Sequence, residues 1–298
     1  MQPEIVFIAR GAAPGTATLQ RRPASDGQLV ATSWSVISPG TERWQLARDE
    51  RAAAPLGYMA IGQCDGEHLL APSPHGTQFD AANPGTLAAT AASPEIMAIA
   101  RFQLMAAAGL RPVAARVRQA ARFAVVGTGP VAIGAVLEIV RGSAAEVTVI
   151  TRNPDRAHRL LDGLDRVAVA GYDALRALPN IIECTGQAAN IQACIGALAE
   201  GALVGLLGSP RELCATDVYA IHRAGATLLG MHELAVFDPA WRRKTFREIA
   251  AWLTGTRPHE RSGWMASTPA SDFGALYERL YRGRLPEPFQ LLDWRAYS

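Results

Sequence analysis

What the chain lacks narrows its possibilities first. It has only 4 cysteines in 298 residues (Cys64, Cys184, Cys194 and Cys214), with no Cys-x-x-Cys pair and no zinc-site spacing among them. A disulfide framework is thereby excluded, and buried or half-buried free thiols in a reducing compartment are expected. An excess of one charge is also missing. The 29 Lys and Arg stand against 27 Asp and Glu, a net +2 at pH 7 with no long run of either sign. Such a balance gives no footprint for nucleic acid or for an acidic membrane surface. No apolar run is expected to reach the roughly 18 residues that span a bilayer. Phe123–Val140 comes nearest, but Gly127, Gly129 and Pro130 interrupt it. Met1-Gln-Pro-Glu-Ile-Val has no basic region leading into an apolar one, so no signal peptide is read and a cytoplasmic protein is expected. What is present is apolar content of 49%, enough for a sizeable core.

The first third reads as short strands, Glu4–Ile8, Gln28–Ile37, Ala60–Gln63 and Glu67–Ala71, separated by Ala-Pro-Gly, Ser-Pro-Gly and Asp-Gly turn signals. Thr86–Leu110 has apolar residues at helical spacing, with Gly109 and Pro112 to end it. From Arg122 the texture alternates. Strands are predicted at Arg122–Val126, Glu146–Ile150, Arg166–Val169, Asn180–Cys184, Ala202–Leu207 and Ala226–Gly230. Helices are predicted at Pro130–Arg141, Pro154–Leu161, Ala174–Leu178, Ala188–Ala199, Thr216–Ala224 and Pro239–Leu253. Short apolar strands alternating with amphipathic helices predict an α/β domain, a doubly wound parallel sheet of six strands. The tail reads as strand, helix (Ser271–Arg282) and a strand near Phe289–Asp293. Too short to fold alone, it is expected to rejoin the N-terminal domain. The expected division is therefore residues 1–115 with 255–298 for a β-rich domain, and 116–254 for a nucleotide-binding one.

Phe123-Ala-Val-Val-Gly127-Thr-Gly129-Pro130-Val131-Ala132 is an apolar strand running through Gly-x-Gly-x-x-Ala into a helix. The first glycine permits a tight turn, the second a close approach of backbone to a diphosphate, and the small third residue close helix packing. The helix start offers free N–H groups and a positive dipole end. At the end of the second strand, where NAD binders carry an acid, stand Thr151 and Arg152, with Arg156 a turn later. A carboxylate would repel a 2′-phosphate, whereas a hydroxyl and a guanidinium would bind it, so NADPH is the expected cofactor. The alternative is that Arg152 and Arg156 only solvate a surface turn.

The glycine turn, followed by Ile181-Ile-Glu-Cys-Thr-Gly186 and Leu198-Ala-Glu-Gly-Ala-Leu-Val-Gly-Leu-Leu-Gly208, resembles the medium-chain dehydrogenase/reductase superfamily over nearly the whole chain. Ser38-Pro-Gly-Thr-Glu-Arg43 and Pro55-Leu-Gly-Tyr-Met59 resemble its threonine and polyol dehydrogenase branch. Leu291-Leu-Asp-Trp294 is similar to the end of bacteriochlorophyllide dehydrogenases. The resemblance implies a GroES-like β-rich catalytic domain, here shortened, beside a Rossmann domain, with Thr185 and Gly208 added to the cofactor residues. It also implies an oxidoreductase acting on a small molecule, a homodimer, and no nucleic-acid or membrane partner.

Departures from the family pattern bear on the chemistry. Where zinc-dependent relatives carry a Cys, this chain has Ser38 or Pro39, and where they carry Gly-His-Glu it has Gly57-Tyr58-Met59. These residues supply no zinc ligand set, so no metal is expected. Tyr58 is the first candidate to protonate a developing alkoxide, unless it only fills the vacated metal space; Thr41 is the second. Glu42 is expected to orient neighbouring backbone or to pair with Arg43. His75 and His232 follow candidate strands and are placed facing a cleft, His232 near the nicotinamide, or else as loop histidines. His68, His158, His222 and His259 read as structural or exposed, and Arg242-Arg-Lys244 with Arg247 as a solvated helix face. The expected function is zinc-independent, NADPH-dependent reduction of a ketone on a sugar-like, cyclitol or oxo-aminoglycoside-type biosynthetic intermediate. Reduction of a quinone or enone, and NADPH binding without turnover, are the alternatives.

Overall fold

Short apolar runs bounded by Gly and Pro set the elements, which the computed structural model describes for residues 4–24, 29–48, 54–89, 91–235, 237–256, 260 and 263–297. The chain begins β1 (Glu4–Arg10), β2 (Ala17–Pro23), β3 (Trp34–Val36), α1 (Pro39–Ala47), β4 (Ala60–Cys64), β5 (Glu67–Ala71) and β6 (Leu87–Ala89). Next come α2 (Pro94–Leu110), α3 (Ala114–Gln119), β7 (Arg122–Val126), α4 (Pro130–Gly142), β8 (Glu146–Ile150), α5 (Pro154–Leu161) and β9 (Val167–Ala170). They are followed by β10 (Asn180–Glu183), α6 (Ala188–Gly196), β11 (Leu203–Leu206), α7 (Val218–Arg223) and β12 (Thr227–Gly230). The chain closes with α8 (Pro239–Thr256), β13 (Met265–Pro269), α9 (Phe273–Tyr281) and β14 (Phe289–Asp293).

Two compact units divide the chain: Met1–Ala100 with Asp238–Ser298, and Arg101–Phe237. These bounds differ from the expected 115/116 and 254/255. Helix α8 packs on β6 and so belongs with the β-rich unit, where its alternation with strands had suggested the nucleotide-binding one.

The second unit is a parallel sheet in the order β12-β11-β10-β7-β8-β9. The chain starts at the centre, winds to one edge, then returns to fill the other. This is the doubly wound arrangement, with its switch point between β7 and β10. Val126, Ile150, Ile181 and Val204 lie in its core. β7, β8 and α5 fall where the sequence places them. Ala174–Leu178 is instead covered by a 3-10 turn, Tyr172–Ala177, and α6 stops at Gly196, before a turn closed by Gly201 at φ +65°.

The first unit holds a sheet in the order β13-β14-β3-β4-β5-β6, antiparallel except for β13 with β14, and the hairpin β1-β2. Strand β14 pairs with β3, Leu291 opposite Val36, which brings the C-terminal tail beside residues 34–36. Polar, half-exposed β2 escapes the sequence reading because the hairpin partner β1 supplies its reason to be extended. The predicted strand Gln28–Ile37 shortens to β3, with Val30 in a single bridge to Phe79; Gln28 lies outside the described residues. Ser38-Pro-Gly, read as a turn, opens α1, with Pro39 in the first turn where its missing N–H costs nothing. The predicted helix from Thr86 starts only at Pro94, because Leu87–Ala89 pair with β5. Pro94–Gln119 is long and apolar enough to meet the length and composition of a membrane span, against the expectation that no run would. Of its most apolar window, 78% is buried inside the protein, as in a core helix.

Candidate functional site

The second unit builds a glycine turn at the switch point. Gly127, at φ +117°, ends β7, and its N–H donates to Ile150 O at 3.0 Å. A Cβ there would sit 3.0 Å from Thr185 Cγ2. Gly129 is the N-cap of α4, and a Cβ on it would meet nothing within 4 Å, so the turn opens outward at this residue. Pro130 has no N–H; those of Val131 and Ala132 precede Ile133, whose N–H donates to Gly129 O. The turn thus presents first-turn N–H groups and a helix dipole at an uncrowded glycine, which fits a nucleotide diphosphate.

At the tip of β8, Thr151 Oγ1 accepts from Asn153 N at 3.0 Å, and Asn153 Oδ1 caps α5 by accepting from Arg156 N at 3.1 Å. Exposed Arg152 donates to Gln187 Oε1 at 3.0 Å, so its guanidinium is steadied by a neutral amide. A hydroxyl and two arginines therefore share one strand end and the turn after it.

Sequence reasoning missed Glu183, the last residue of β10. Its Oε1 accepts from Thr185 N at 2.8 Å and from the Thr185 hydroxyl, and its Oε2 from Gly186 N at 2.9 Å. Burial pushes its carboxyl up, against the pull of these donors. An acid inside the apolar run Ile181-Ile-Glu-Cys was the available signal. Thr185 Oγ1 also accepts from Asn190 Nδ2 at 2.8 Å and from Gln187 N at 3.1 Å, so its hydroxyl is committed to the loop while its methyl faces Gly127. Gly208 N donates to Glu183 O at 2.8 Å, and a Cβ on Gly208 would lie 2.5 Å from Cys184 C. Its place is a close backbone crossing.

The first unit is organised around polar side chains. Ser35, Glu42 and His75 are fully buried. Trp294 Nε1 donates to Ser35 Oγ at 2.8 Å, Ser35 Oγ lies 2.7 Å from His75 Nδ1, and His75 Nε2 lies 3.1 Å from Glu42 Oε2. Tyr277 donates to the same Oε2 at 2.7 Å, and Ser38 N to Glu42 Oε1 at 2.7 Å. Burial, then the Glu42 carboxylate beside it, pushes the Tyr277 phenol well above its usual range. Indole only donates and a carboxylate only accepts, so Ser35 Oγ takes the Trp294 N–H, and His75 Nε2 turns a proton to Glu42 while Nδ1 faces the serine hydroxyl. Glu42 thus orients backbone, as expected, but its side-chain partners are His75 and Tyr277 rather than Arg43. His75 does not face a cleft: it is fully buried between Ser35 and Glu42.

Half-buried Tyr58 donates to Ser38 Oγ at 2.8 Å, which joins the loop before β4 to the start of α1. Among the described residues no three His, Cys, Asp or Glu side chains converge as metal ligands would. Thr41 lies half-buried in the first turn of α1. His232 is exposed, and its Nδ1 accepts from Leu234 N at 3.3 Å; the next residue, Glu233, is clamped by Arg101 through two 2.8 Å bonds. His68 binds Ala92 O and His158 pairs with Asp162, whereas His259 lies outside the described residues. Arg242 is buried in α8, so the basic cluster is no continuous solvated face; Arg243, Lys244 and Arg247 are exposed.

No family model matches the chain, and neither does any curated protein sequence. Solved structures do match. Acetophenone reductase from Geotrichum candidum, in complex with NAD, is 12% identical with a TM-score of 0.77, covering 99% of each chain. Galactitol-1-phosphate dehydrogenase from Escherichia coli is 12% identical with a TM-score of 0.73, over 97% of this chain and 99% of that one. Quinone oxidoreductase from Thermus thermophilus, solved also with NADPH, is 18% identical with a TM-score of 0.72, over 97% and 99%. The likeness establishes the fold that this chain shares with those dehydrogenases and reductases, a GroES-like β-rich unit and a Rossmann unit in one polypeptide.

Proposed function

We propose that the chain is an NADPH-dependent reductase that adds hydride to a ketone without a metal. The observation that carries this reading is the open glycine turn at the switch point, with Thr151 and Arg152 at the neighbouring strand end. The structural relatives solved with NAD or NADPH support a nicotinamide cofactor. Gly127, Gly129, Pro130, Val131 and Gly208 shape the turn, and Thr151, Arg152 and Arg156 hold the 2′-phosphate. When bound, the reduced nicotinamide supplies the hydride. Tyr58 delivers the proton to the developing alkoxide, and Ser38, 2.8 Å away, supports the phenolate left behind. Two hydroxyls in the former ligand positions favour this proton donor over zinc, whose ligands are N, S or carboxylate O.

Titration of NADPH and NADH by fluorescence tests the cofactor. Arg152→Ala removes one charge-assisted contact, about 1.5–3 kcal/mol, and weakens NADPH roughly ten- to a hundredfold while NADH stays weak throughout. Equal binding of both nucleotides, unchanged by the substitution, sinks the assignment. A ketone panel with Tyr58→Phe then tests the chemistry. Turnover retained with enones and quinones alone favours the reading in which no strong acid is needed. The substrate class we put forward is an oxo group on a sugar-like or cyclitol biosynthetic intermediate, and the polyol-phosphate dehydrogenase among the structural relatives supports it. Homodimerisation through edge strand β12 belongs to the same reading: Leu228 is exposed there, and α7 exposes Val218 and Tyr219.

A further inference from the structure

We infer that the buried Glu42–His75 pair is a positioning element for Tyr58, holding both the turn that carries this tyrosine and the partner of its hydroxyl. The inference rests on the reading of Tyr58 as proton donor, and its geometry lies wholly in the β-rich unit. The first hold is on the backbone. Gly57 has φ +83°, and any Cβ on it would collide with the His75 ring, so the imidazole packs directly against the residue before Tyr58. His75 N also donates to Leu56 O at 2.9 Å, tying the same turn one residue earlier. The second hold is on the hydroxyl. Glu42 Oε1 accepts from Ser38 N at 2.7 Å while Glu42 N donates to Ser38 O at 2.9 Å, a reciprocal clasp that fixes Ser38 at the start of α1. Ser38 makes no side-chain cap to that helix, and its Oγ instead accepts from Tyr58 at 2.8 Å.

The two holds meet at one carboxylate. Every group on Glu42 is a donor: Ser38 N, His75 Nε2 and the Tyr277 hydroxyl. A carboxylate only accepts, so the three hydrogen bonds run in one direction and all end on Glu42. Glutamine at position 42 keeps the volume but turns one oxygen into a donor. It must then face Ser38 N–H, or else Tyr277 and His75, with a clash of donors, and either choice loosens one hold on Tyr58.

Fluorotyrosine incorporation and 19F NMR test this without reference to turnover, the Tyr58 signal being assigned by its loss in Tyr58→Phe. In Glu42→Gln the Tyr58 resonance shifts and broadens, while Tyr172 and Tyr219 of the other unit stay in place. Tyr277→Phe, which removes a single donor and leaves the carboxylate, moves Tyr58 in the same sense but less, and it decides the matter should Glu42→Gln fail to fold. A Tyr58 resonance that stays put in folded Glu42→Gln, or in Tyr277→Phe when the first variant does not fold, overturns the inference. Failure of the underlying reading is a separate result: Tyr58→Phe then reduces ketones as fast as the wild type, whatever the NMR shows.

Discussion

Each unit buries a carboxylate, and the two are satisfied in opposite ways. Glu183, at the end of β10, takes its donors from Thr185 and Gly186, two and three residues onward. Glu42 takes one from Ser38, four residues back, but the others from His75 and Tyr277, separated from it by 33 and 235 positions. The first is a local device that steadies the loop beside the glycine turn. The second binds the tail of the chain to its beginning. A buried polar group costs much less when hydrogen-bonded, and these acids find their partners at very different distances along the chain.

The strongest way to break the comparison is to delete each acid. Glu42→Ala leaves donors from three separate segments without an acceptor and destabilises the β-rich unit by about 3–5 kcal/mol in urea unfolding. Glu183→Ala strands the donors of a single loop and costs the Rossmann unit roughly 2–3 kcal/mol. Equal costs would mean that the sequence separation of the partners has no bearing on how firmly a unit is held.

A finer test uses pH. Burial raises the folded-state pKa of Glu183 above its ordinary 4.5. A raised folded pKa gives stability that is fully present below the unfolded value and is lost as pH rises through the folded one. Lowering the pH from neutrality toward 4.5 therefore stabilises the wild type relative to Glu183→Gln, as paired melting curves would measure. A constant difference between the two across this range would refute the assignment.

The smallest effect is a reporter. Burial pushes the Cys194 thiol up to about 12, and it lies in the core of the Rossmann unit. Near pH 8 it stays unreactive toward a disulfide reagent in the folded protein. Glu183→Ala speeds its labelling, whereas Glu42→Ala does so much less, and labelling at equal rates would show that the two units open together.

Much of the Rossmann unit was legible because its signals are local. Val147-Thr-Val-Ile150 and Gly127-Thr-Gly129 declare strand and turn from neighbouring residues, and the structure keeps β7, β8 and α5 at the predicted positions. The β-rich unit was read less well. Ser-Pro-Gly suits both a turn and a helix start, and a helix was built there; β2 has no apolar period of its own. His75, read as facing a cleft or else as a loop histidine, does lie in a loop but is buried, with Ser35 and Glu42 at its two ring nitrogens.

The sequence by itself determined the alternation of strand and helix, the glycine turn and the charges at the end of β8, since each depends on residues within a few positions. Only the tertiary structure decided which hydroxyl meets Tyr58 and what lies under it. Pairing of β14 with β3 brings Trp294 to Ser35, and packing of α9 on α1 brings Tyr277 to Glu42. Buried donors must find acceptors, but which ones they find depends on how distant segments of the chain are brought together.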